Sequence, residues 1–168
     1  DLKSNQKMFR LLQGDVGSGK TIVALCAAFN VVKSGFQVAV MAPTEILAKQ
    51  HYNLAKKLFN KNINIKILTS KTEHKKKKEI QNDLKNNIIN IIIGTHSLFQ
   101  EKIEYNNLGL IVIDEQHKFG VKQRKKLSDK GGKNCDILVM SATPIPRTMI
   151  MTVFGDMDTS IIKNKPKN

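Results

Sequence analysis

Short apolar runs alternate with amphipathic stretches along the whole chain. Residues 8–13, 37–42 and 108–113 are apolar runs of the length typical of buried strands. Residues 20–34 have helical spacing and end before Gly35, which takes the left-handed cap of a helix at little cost. Because strands that alternate with helices pair in parallel, the pattern predicts an α/β fold, a mostly parallel β-sheet with helices on both faces.

The rest of the chain continues this alternation. Further strands are predicted at residues 63–68, 88–94, 136–140 and 159–162, and further helices at residues 45–60, 71–86, 121–130 and 146–154. Pro43 and Thr44 end the second strand, and Thr44 caps the next helix. The apolar positions of that helix are Leu47, Leu54 and Leu58. No linker-like stretch interrupts the series, so residues 1–168 are expected to form one domain.

The charge of the chain is unusual. Lysine and arginine number 28 against 14 aspartate and glutamate, which gives a net charge of +14. Such a field attracts polyanions such as nucleic acids, although a solvated lysine coat without a partner explains the excess equally well. The aromatic content is 5% with no Trp, which argues against a surface for stacking bases.

The cysteines and the length of the apolar runs indicate the cellular compartment of the protein. Cys26 and Cys135 have no His or second Cys at metal-binding spacing, so we interpret both as reduced, small apolar fillers. No apolar run approaches the roughly 20 residues that span a bilayer, and no signal peptide opens the chain. We therefore expect a cytoplasmic protein with no membrane partner. The first residue is Asp1 rather than Met, which suggests a piece of a longer protein.

The segment after the first predicted strand has the pattern of a phosphate-binding loop, G-x-x-x-x-G-K-[ST]. Its residues are Gly14, Asp15, Val16, Gly17, Ser18, Gly19, Lys20 and Thr21. Glycines let the backbone curl until several N–H groups point at a phosphate. Lys20 can reach the β- and γ-phosphates, and the Thr21 hydroxyl can bind Mg²⁺. The loop therefore predicts a site for a nucleoside triphosphate with magnesium.

Two acids follow another buried apolar run. Asp114 would hold Mg²⁺ through water, because Mg²⁺ keeps several of its waters, and Glu115 would orient or deprotonate the attacking water. Adjacent acids at a buried strand end are costly unless a cation or strong donors meet them, which favours a functional interpretation. Gln116 and His117 complete the sequence Asp-Glu-Gln-His.

Three further segments follow predicted strands. Ser141, Ala142 and Thr143 carry hydroxyls that could bond a His such as His117 and respond to the nucleotide state. The other two segments offer backbone N–H groups and a threonine hydroxyl to a phosphate, at the strand ends where open α/β sheets bind ligands. They are Pro43-Thr44 and Gly94-Thr95-His96. Considered alone, each segment is also an ordinary turn.

The phosphate loop together with Asp-Glu-Gln-His resembles the superfamily 2 helicases, which are RecA-like P-loop NTPases. More narrowly, the chain is similar over nearly its whole length to the bacterial ATP-dependent DNA helicases of the RecG family. The residues that carry this resemblance are 12–21, 41–48, 94–101, 114–121 and 142–148. The transcription-repair coupling factors share part of these segments, but usually have a bulky residue at the position of Ser18 and a second Glu at that of Gln116. Both positions favour the RecG family.

The resemblance implies the first RecA-like domain of an ATP-dependent helicase that remodels forks and four-way junctions in recombination and repair. It assigns catalytic roles to Lys20, Asp114, Glu115 and His117, and coupling roles to Gln116, His117, Ser141, Ala142 and Thr143. It assigns contacts with the DNA backbone to Pro43, Thr44, Gly94, Thr95 and His96. A bacterial cytoplasmic protein associated with the nucleoid is expected. A general duplex-DNA translocase similar to the transcription-repair coupling factors is the alternative.

The resemblance also implies parts that 168 residues cannot hold. These are a wedge domain that binds the junction and a second RecA-like domain that supplies arginine fingers. Because such fingers contribute about 10³ to 10⁵ in rate, the isolated domain is expected to hydrolyse ATP slowly. The glutamine motif that recognises adenine is expected upstream of residue 1.

Two other classes of protein fit less well: another P-loop enzyme, either a GTPase or a small-molecule kinase, and a nucleic-acid-binding module. A GTPase should carry N-K-x-D, but residues 60–63 and 164–167 lack the Asp, and residues 127–130 break the L-S-G-G signature of transporter ATPases. A nucleic-acid-binding module without ATP chemistry would depend on the lysine run at residues 75–78. This run lies away from each motif along the chain, and it is either a DNA contact or a solvated helix face.

Overall fold

Seven parallel strands form a single sheet in the described part of the chain. The computed structural model describes residues 7–59, 62–100, 102–114, 135–143 and 157–163. The strands are β1 Phe9–Gly14, β2 Gln37–Met41, β3 Ile65–Leu68, β4 Ile91–Gly94, β5 Leu108–Asp114, β6 Asp136–Ser141 and β7 Asp158–Ile162. Their order across the sheet is β3-β4-β2-β5-β6-β1-β7, and each neighbouring pair is parallel. The predicted α/β fold is confirmed.

Helices cover both faces of this sheet. They are α1 Lys20–Lys33, α2 Glu45–Leu58 and α3 His74–Lys85, with a 3-10 helix at His96–Phe99. Side chains alternate across a strand. In β2, Val38 belongs to the core under α1 and α2, whereas Ala39 belongs to the core under α3 and the 3-10 helix. None of the described helices is long and apolar enough to cross a bilayer.

Most predicted elements are present, but several boundaries differ. β4 begins at Ile91 rather than at residue 88, because the amides of Ile88 and Ile89 bond to the carbonyl of Asp83 and close the end of α3. α3 begins at His74 because residues 69–72 form a turn instead. The 3-10 helix was not predicted. The helices predicted at residues 121–130 and 146–154 lie outside the described residues.

The inward face of α2 differs from the predicted one. Ala48, His51 and Ala55 are buried, whereas Leu58 is 49% exposed. The small side chains let the helix lie close to the sheet, and the leucines at residues 47 and 54 pack only partly against the core. The interpretation of Cys26 as an apolar filler is also wrong, because its side chain is exposed.

A buried glutamine joins the loops at the amino edge of the sheet. The side-chain amide of Gln37 donates to the carbonyls of Leu84 and Ile89, at 2.9 and 3.0 Å. Its carbonyl oxygen accepts from the backbone N–H groups of Asn106 and Asn107, at 2.9 and 3.1 Å. Gln37 is 1% exposed, so one side chain satisfies buried polar groups of two loops. These hydrogen bonds stabilise the loops at the amino ends of the strands. The candidate site lies at the opposite edge, where the strands have their carboxyl ends.

Candidate functional site

Three adjacent strands end side by side at the carboxyl edge. The register pairs Asp114 of β5 with Met140 of β6, and Ser141 of β6 with Gln13 of β1. The loop that opens at Gly14 follows directly after β1. Because parallel strands end at the same edge, the predicted phosphate loop, the first acid and the first hydroxyl of the Ser-Ala-Thr segment share one row.

The loop has the backbone that its glycines allow. Gly17 and Gly19 have φ angles of 81° and 91°, in the left-handed region that disfavours other residues. At Gly14, an added Cβ would lie 2.7 Å from the Ser18 hydroxyl oxygen, so the loop folds back closely over this glycine. The Ser18 amide donates to the carbonyl of Asp15 at 3.1 Å and closes the turn. The result is a curled backbone in front of α1.

Donor groups of this curled backbone fit a polyphosphate. Gly19 is the N-cap of α1, no described side chain caps that end, and the first turn has no acid. The Ser18 hydroxyl is buried without a hydrogen-bond partner among the described residues. Lys20 Nζ donates to the carbonyls of Gly14 and Asp15, at 2.5 and 2.8 Å, so its ammonium group lies against the loop. A helix N-terminus, a free hydroxyl and an ammonium group together are the donor set that phosphates require.

Asp114 has a buried partner that the sequence analysis missed. Its Oδ2 atom lies 2.7 Å from Nε2 of His51, and the two side chains are 11% and 8% exposed. An ionised carboxylate only accepts hydrogen bonds, so with Asp114 ionised it is Nε2 that carries the proton. A buried carboxylate needs such a donor. The helical spacing of His51 from Ala48 and Ala55 was a signal in the sequence for its burial, but not for its partner.

Hydrogen bonds within the Ser-Ala-Thr segment and from β1 hold this segment in place. Ser141 is fully buried, and its hydroxyl donates to the carbonyl of Thr143 at 3.0 Å and lies 3.2 Å from the Thr143 hydroxyl. The side-chain amide of Gln13 donates to the same Thr143 carbonyl at 3.3 Å. Gln13, which precedes the phosphate loop, thus joins β1 to the end of the described segment.

The two candidate DNA segments are neighbours at the same edge. β2 pairs with β4 so that Met41 lies opposite Gly94, and the amide of Ala42 donates to the Gly94 carbonyl at 2.8 Å. Thr44 is exposed, and its hydroxyl accepts from the amide of Leu47 at 3.3 Å, as predicted for the cap of α2. At Gly94 an added Cβ would collide with the backbone carbonyl of the adjacent β3, so the close packing of the two strands requires glycine.

The lysine run also lies at this edge. The Ser70 hydroxyl donates to Glu45 Oε1 at 2.6 Å, and Lys71 Nζ lies 3.5 Å from Glu45 Oε2, so the loop before α3 contacts the first turn of α2. The bond from Ser70, followed by the charge of Lys71, lowers the pKa of Glu45. In the first turn of α3, Lys77 Nζ donates to Gln100 Oε1 at 2.7 Å. The run therefore lies beside the segment that begins at Gly94, although it is remote along the chain.

Some predicted residues lie outside the described ones. They are Glu115, Gln116 and His117, which follow β5, and residues 144–148, which belong to the last segment of the resemblance. The structure thus brings together the phosphate loop, Asp114 and Ser141 to Thr143 in one row, and Pro43-Thr44 and Gly94 to His96 in the neighbouring loops.

The fold and the row of strand ends define a RecA-like nucleotide-binding domain. The family model described as DEAD/DEAH box helicase matches residues 2–152, and the chain belongs to this family. Within it, the chain is similar to the ATP-dependent DNA helicase RecG of Aquifex aeolicus (strain VF5), with 52% identity over 99% of this chain and 21% of the relative. RecG of Streptococcus pneumoniae serotype 4 is also 52% identical, over 99% of this chain and 24% of the relative.

Solved structures give the same result. A structure of RecG bound to a three-way DNA junction superposes with a TM-score of 0.83 at 45% identity, over 99% of this chain and 22% of that one. A DEAD box protein from Methanococcus jannaschii, at 24% identity, shares the fold with a TM-score of 0.70, over 92% of this chain and 45% of that one. The resemblance to RecG is confirmed, and the chain spans about a fifth to a quarter of the length of the curated relatives that it matches.

Proposed function

We propose that this chain is the first ATP-binding motor domain of a bacterial helicase that couples ATP hydrolysis to the remodelling of branched DNA. The observation that carries the proposal is the row formed by the phosphate loop, Asp114 and Ser141 at the ends of three adjacent strands. The likeness to RecG bound to a three-way junction supports branched DNA as the substrate. The proposed place of action is the bacterial nucleoid.

The donor set of the loop supports binding of the ATP phosphates. No described side chain caps the N–H groups at the start of α1, and the Ser18 hydroxyl has no described partner. Both can therefore donate to phosphate oxygens. Lys20 would exchange its two backbone carbonyls for the β- and γ-phosphates, as its ammonium group already lies against the loop.

Thr21 and Asp114 would hold magnesium together with the phosphates. In the described part of the chain, no group of three His, Cys, Asp or Glu side chains could hold a metal ion by itself. Sites of phosphoryl transfer bind Mg²⁺ through one or two side chains plus the phosphates, which fits a threonine and one carboxylate. Bound Mg²⁺ would neutralise charge that develops on the transferred phosphoryl group. Glu115 would orient or deprotonate the attacking water, and Gln116, His117 and Ser141 to Thr143 would couple the γ-phosphate to movement.

DNA would lie across the neighbouring loops. Pro43, Thr44, Gly94, Thr95 and His96 are the proposed backbone contacts, and the pairing of β2 with β4 supports a continuous surface for one strand. A second RecA-like domain of the same polypeptide is the proposed partner that would close over ATP.

The test is the ATPase activity of the full-length protein without DNA and with linear duplex, a model fork or a four-way junction, each at two salt concentrations. We expect branched DNA to stimulate turnover most strongly. Equal stimulation by linear duplex would favour the alternative, a general duplex-DNA translocase. No stimulation by any DNA would leave only the nucleotide-binding part of the proposal.

A further inference from the structure

The bond between His51 and Asp114 joins two parts of the site that the proposed roles leave separate. Asp114 ends β5 and is the proposed magnesium carboxylate, whereas His51 lies on α2. Nε2 and Oδ2 are 2.7 Å apart, and both side chains are nearly excluded from solvent. A carboxylate has two oxygens with about four lone pairs, so a bond at Oδ2 leaves acceptor capacity for a metal-bound water.

The surroundings of His51 hold its ring in place. Ala48 and Ala55, one turn before and after it on α2, are fully buried against the sheet. A ring packed between such positions has little freedom to rotate away from the carboxylate. Groups that bond to a metal-binding carboxylate typically fix its orientation, and their loss commonly costs about 10- to 100-fold in metal affinity or activity.

The same helix begins at the proposed DNA surface. Thr44 is the N-cap of α2 and lies seven positions before His51, a rise of about 10 Å along one helix. A shift of α2 when Thr44 contacts a DNA phosphate would therefore move the donor that holds Asp114. Because Thr44 and His51 belong to the same helix, the DNA contact and the magnesium carboxylate are connected through α2 alone.

From these contacts, and on the basis of the proposed function, we propose that His51 is a positioning residue. It orients the Asp114 carboxylate for the magnesium of bound ATP, and it connects that carboxylate through α2 to the DNA contact at Thr44.

The experiment compares His51→Gln with His51→Met in the full-length protein. The two replacements have similar length and volume, but only glutamine keeps an N–H donor near the position of Nε2. Ala55→Gly serves as the control for a general loosening of α2. Binding of a fluorescent, non-hydrolysable ATP analogue is titrated with Mg²⁺, first without DNA and then with saturating single-stranded DNA, and the rate of ATP hydrolysis is measured in parallel.

We expect His51→Met to raise the half-saturating Mg²⁺ concentration about tenfold or more. His51→Gln should stay within about threefold of the wild type, and binding of the analogue without metal should be the same in all proteins. Equal Mg²⁺ titrations for the Gln and Met variants would overturn the positioning role. DNA should shift the Mg²⁺ titration of the wild type and leave that of His51→Met unchanged. An equal DNA-induced shift in both proteins, or no shift in the wild type, would overturn the connection through α2.

The same experiment distinguishes a failure of the proposed function from a failure of the role proposed for His51. A wild-type protein that does not bind the analogue at any Mg²⁺ concentration would refute the nucleotide site itself. Normal binding with indistinguishable Gln and Met variants would refute only the role of His51.

Discussion

Lys77 of α3 donates to Gln100 across 2.7 Å, although the two residues are separated by 23 positions in the chain. The bond holds the first turn of α3 against the end of the 3-10 helix that follows Gly94 and Thr95. Lys75, Lys76 and Lys78 remain exposed in that turn. The surface proposed to bind DNA is therefore extended by a cluster of positive charge.

Replacing Lys75, Lys76 and Lys78 by Ala should weaken DNA binding of the full-length protein. Each contact with a phosphate contributes about 0.9 to the slope of log affinity against log salt for duplex DNA, so the slope should become shallower by about 1 to 2. ATP hydrolysis without DNA should not change. Fluorescence anisotropy over a series of salt concentrations measures the slope.

The matched control removes the same charge elsewhere. Lys33, Lys57 and Lys85 lie in the last turns of their helices, and each of these helices runs back from the carboxyl edge of the sheet. Their replacement by Ala should lower DNA affinity less than the triple change in α3 does. Equal losses in the two triple variants would mean that net charge, not the position of the lysine run, determines the affinity.

Glu115→Gln should abolish ATP turnover and spare nucleotide binding. The change removes the proposed base while it keeps the size of the side chain, and general bases contribute about 10² to 10⁴ in rate. Single-turnover hydrolysis and equilibrium binding of ATP distinguish the two steps. Glu104→Gln, which makes the same change at an exposed carboxylate that pairs with Lys85, is the control. A Glu115→Gln protein with normal turnover would show that the assignment is wrong.

Ser18→Ala should weaken nucleotide binding without destabilising the protein. The hydroxyl is buried without a described partner, so its removal should leave the melting temperature unchanged or slightly higher in the absence of nucleotide. Loss of one hydrogen bond to a charged phosphate should lower the affinity by about tenfold or more. Calorimetric titration provides the affinity. Ser34→Ala at the other end of α1 is the control, and a similar affinity for both variants would exclude the contact.

Gln37→Leu should destabilise the amino edge of the sheet. The change removes four hydrogen bonds and leaves buried amides without acceptors, so the free energy of local opening should fall by about 2–4 kcal/mol. Hydrogen exchange read by mass spectrometry should show the loss in β2 and around Asn106 and Asn107. Gln50→Leu, on the exposed face of α2, should leave those peptides unchanged. Unchanged exchange in the Gln37 variant would contradict the prediction.

Cys135 should resist alkylation in the folded protein. Burial, more than the neighbouring charges, raises the pKa of its thiol to about 12. Only the thiolate reacts, and with this pKa the thiolate fraction is about 1% even at pH 10. Labelling should therefore stay slow when the pH is raised from 8 to 10. Iodoacetamide labelling followed by peptide mass spectrometry should detect Cys135 only after denaturation, with the exposed Cys26 as the internal comparison. Rapid native labelling of Cys135 would contradict its burial.

Local patterns were sufficient to predict the strands and the phosphate loop. Apolar runs such as residues 108–113 have one stable environment, the interior of a parallel sheet, and the loop glycines are required by positive φ angles. Element ends were less predictable. Ile88 and Ile89 have strand-forming side chains, but hydrogen bonds to Asp83 draw their amides into the end of α3.

Contacts between distant segments could not be predicted from periodicity. His51 reads as one polar residue on a helix, and only the pairing of β2 with β5 brings that helix over Asp114. The lysine run reads as a solvated face, and the adjacency of β3 and β4 brings it beside Gln100. The order of strands in the sheet determines both contacts, and that order is a property of the whole chain.

The position of β1 between β6 and β7 determines when the phosphate loop can become stable during synthesis. Among the described strands β1 is translated first, but its partners are β6 and then β7, so Met8 must bond to Asp136 and Arg10 to Ser160. Closing such long loops is slow, and the nascent β1 has no paired edge until these strands have been translated. The phosphate loop is therefore translated well before the strands that support it, and it lacks that support for most of the domain's translation.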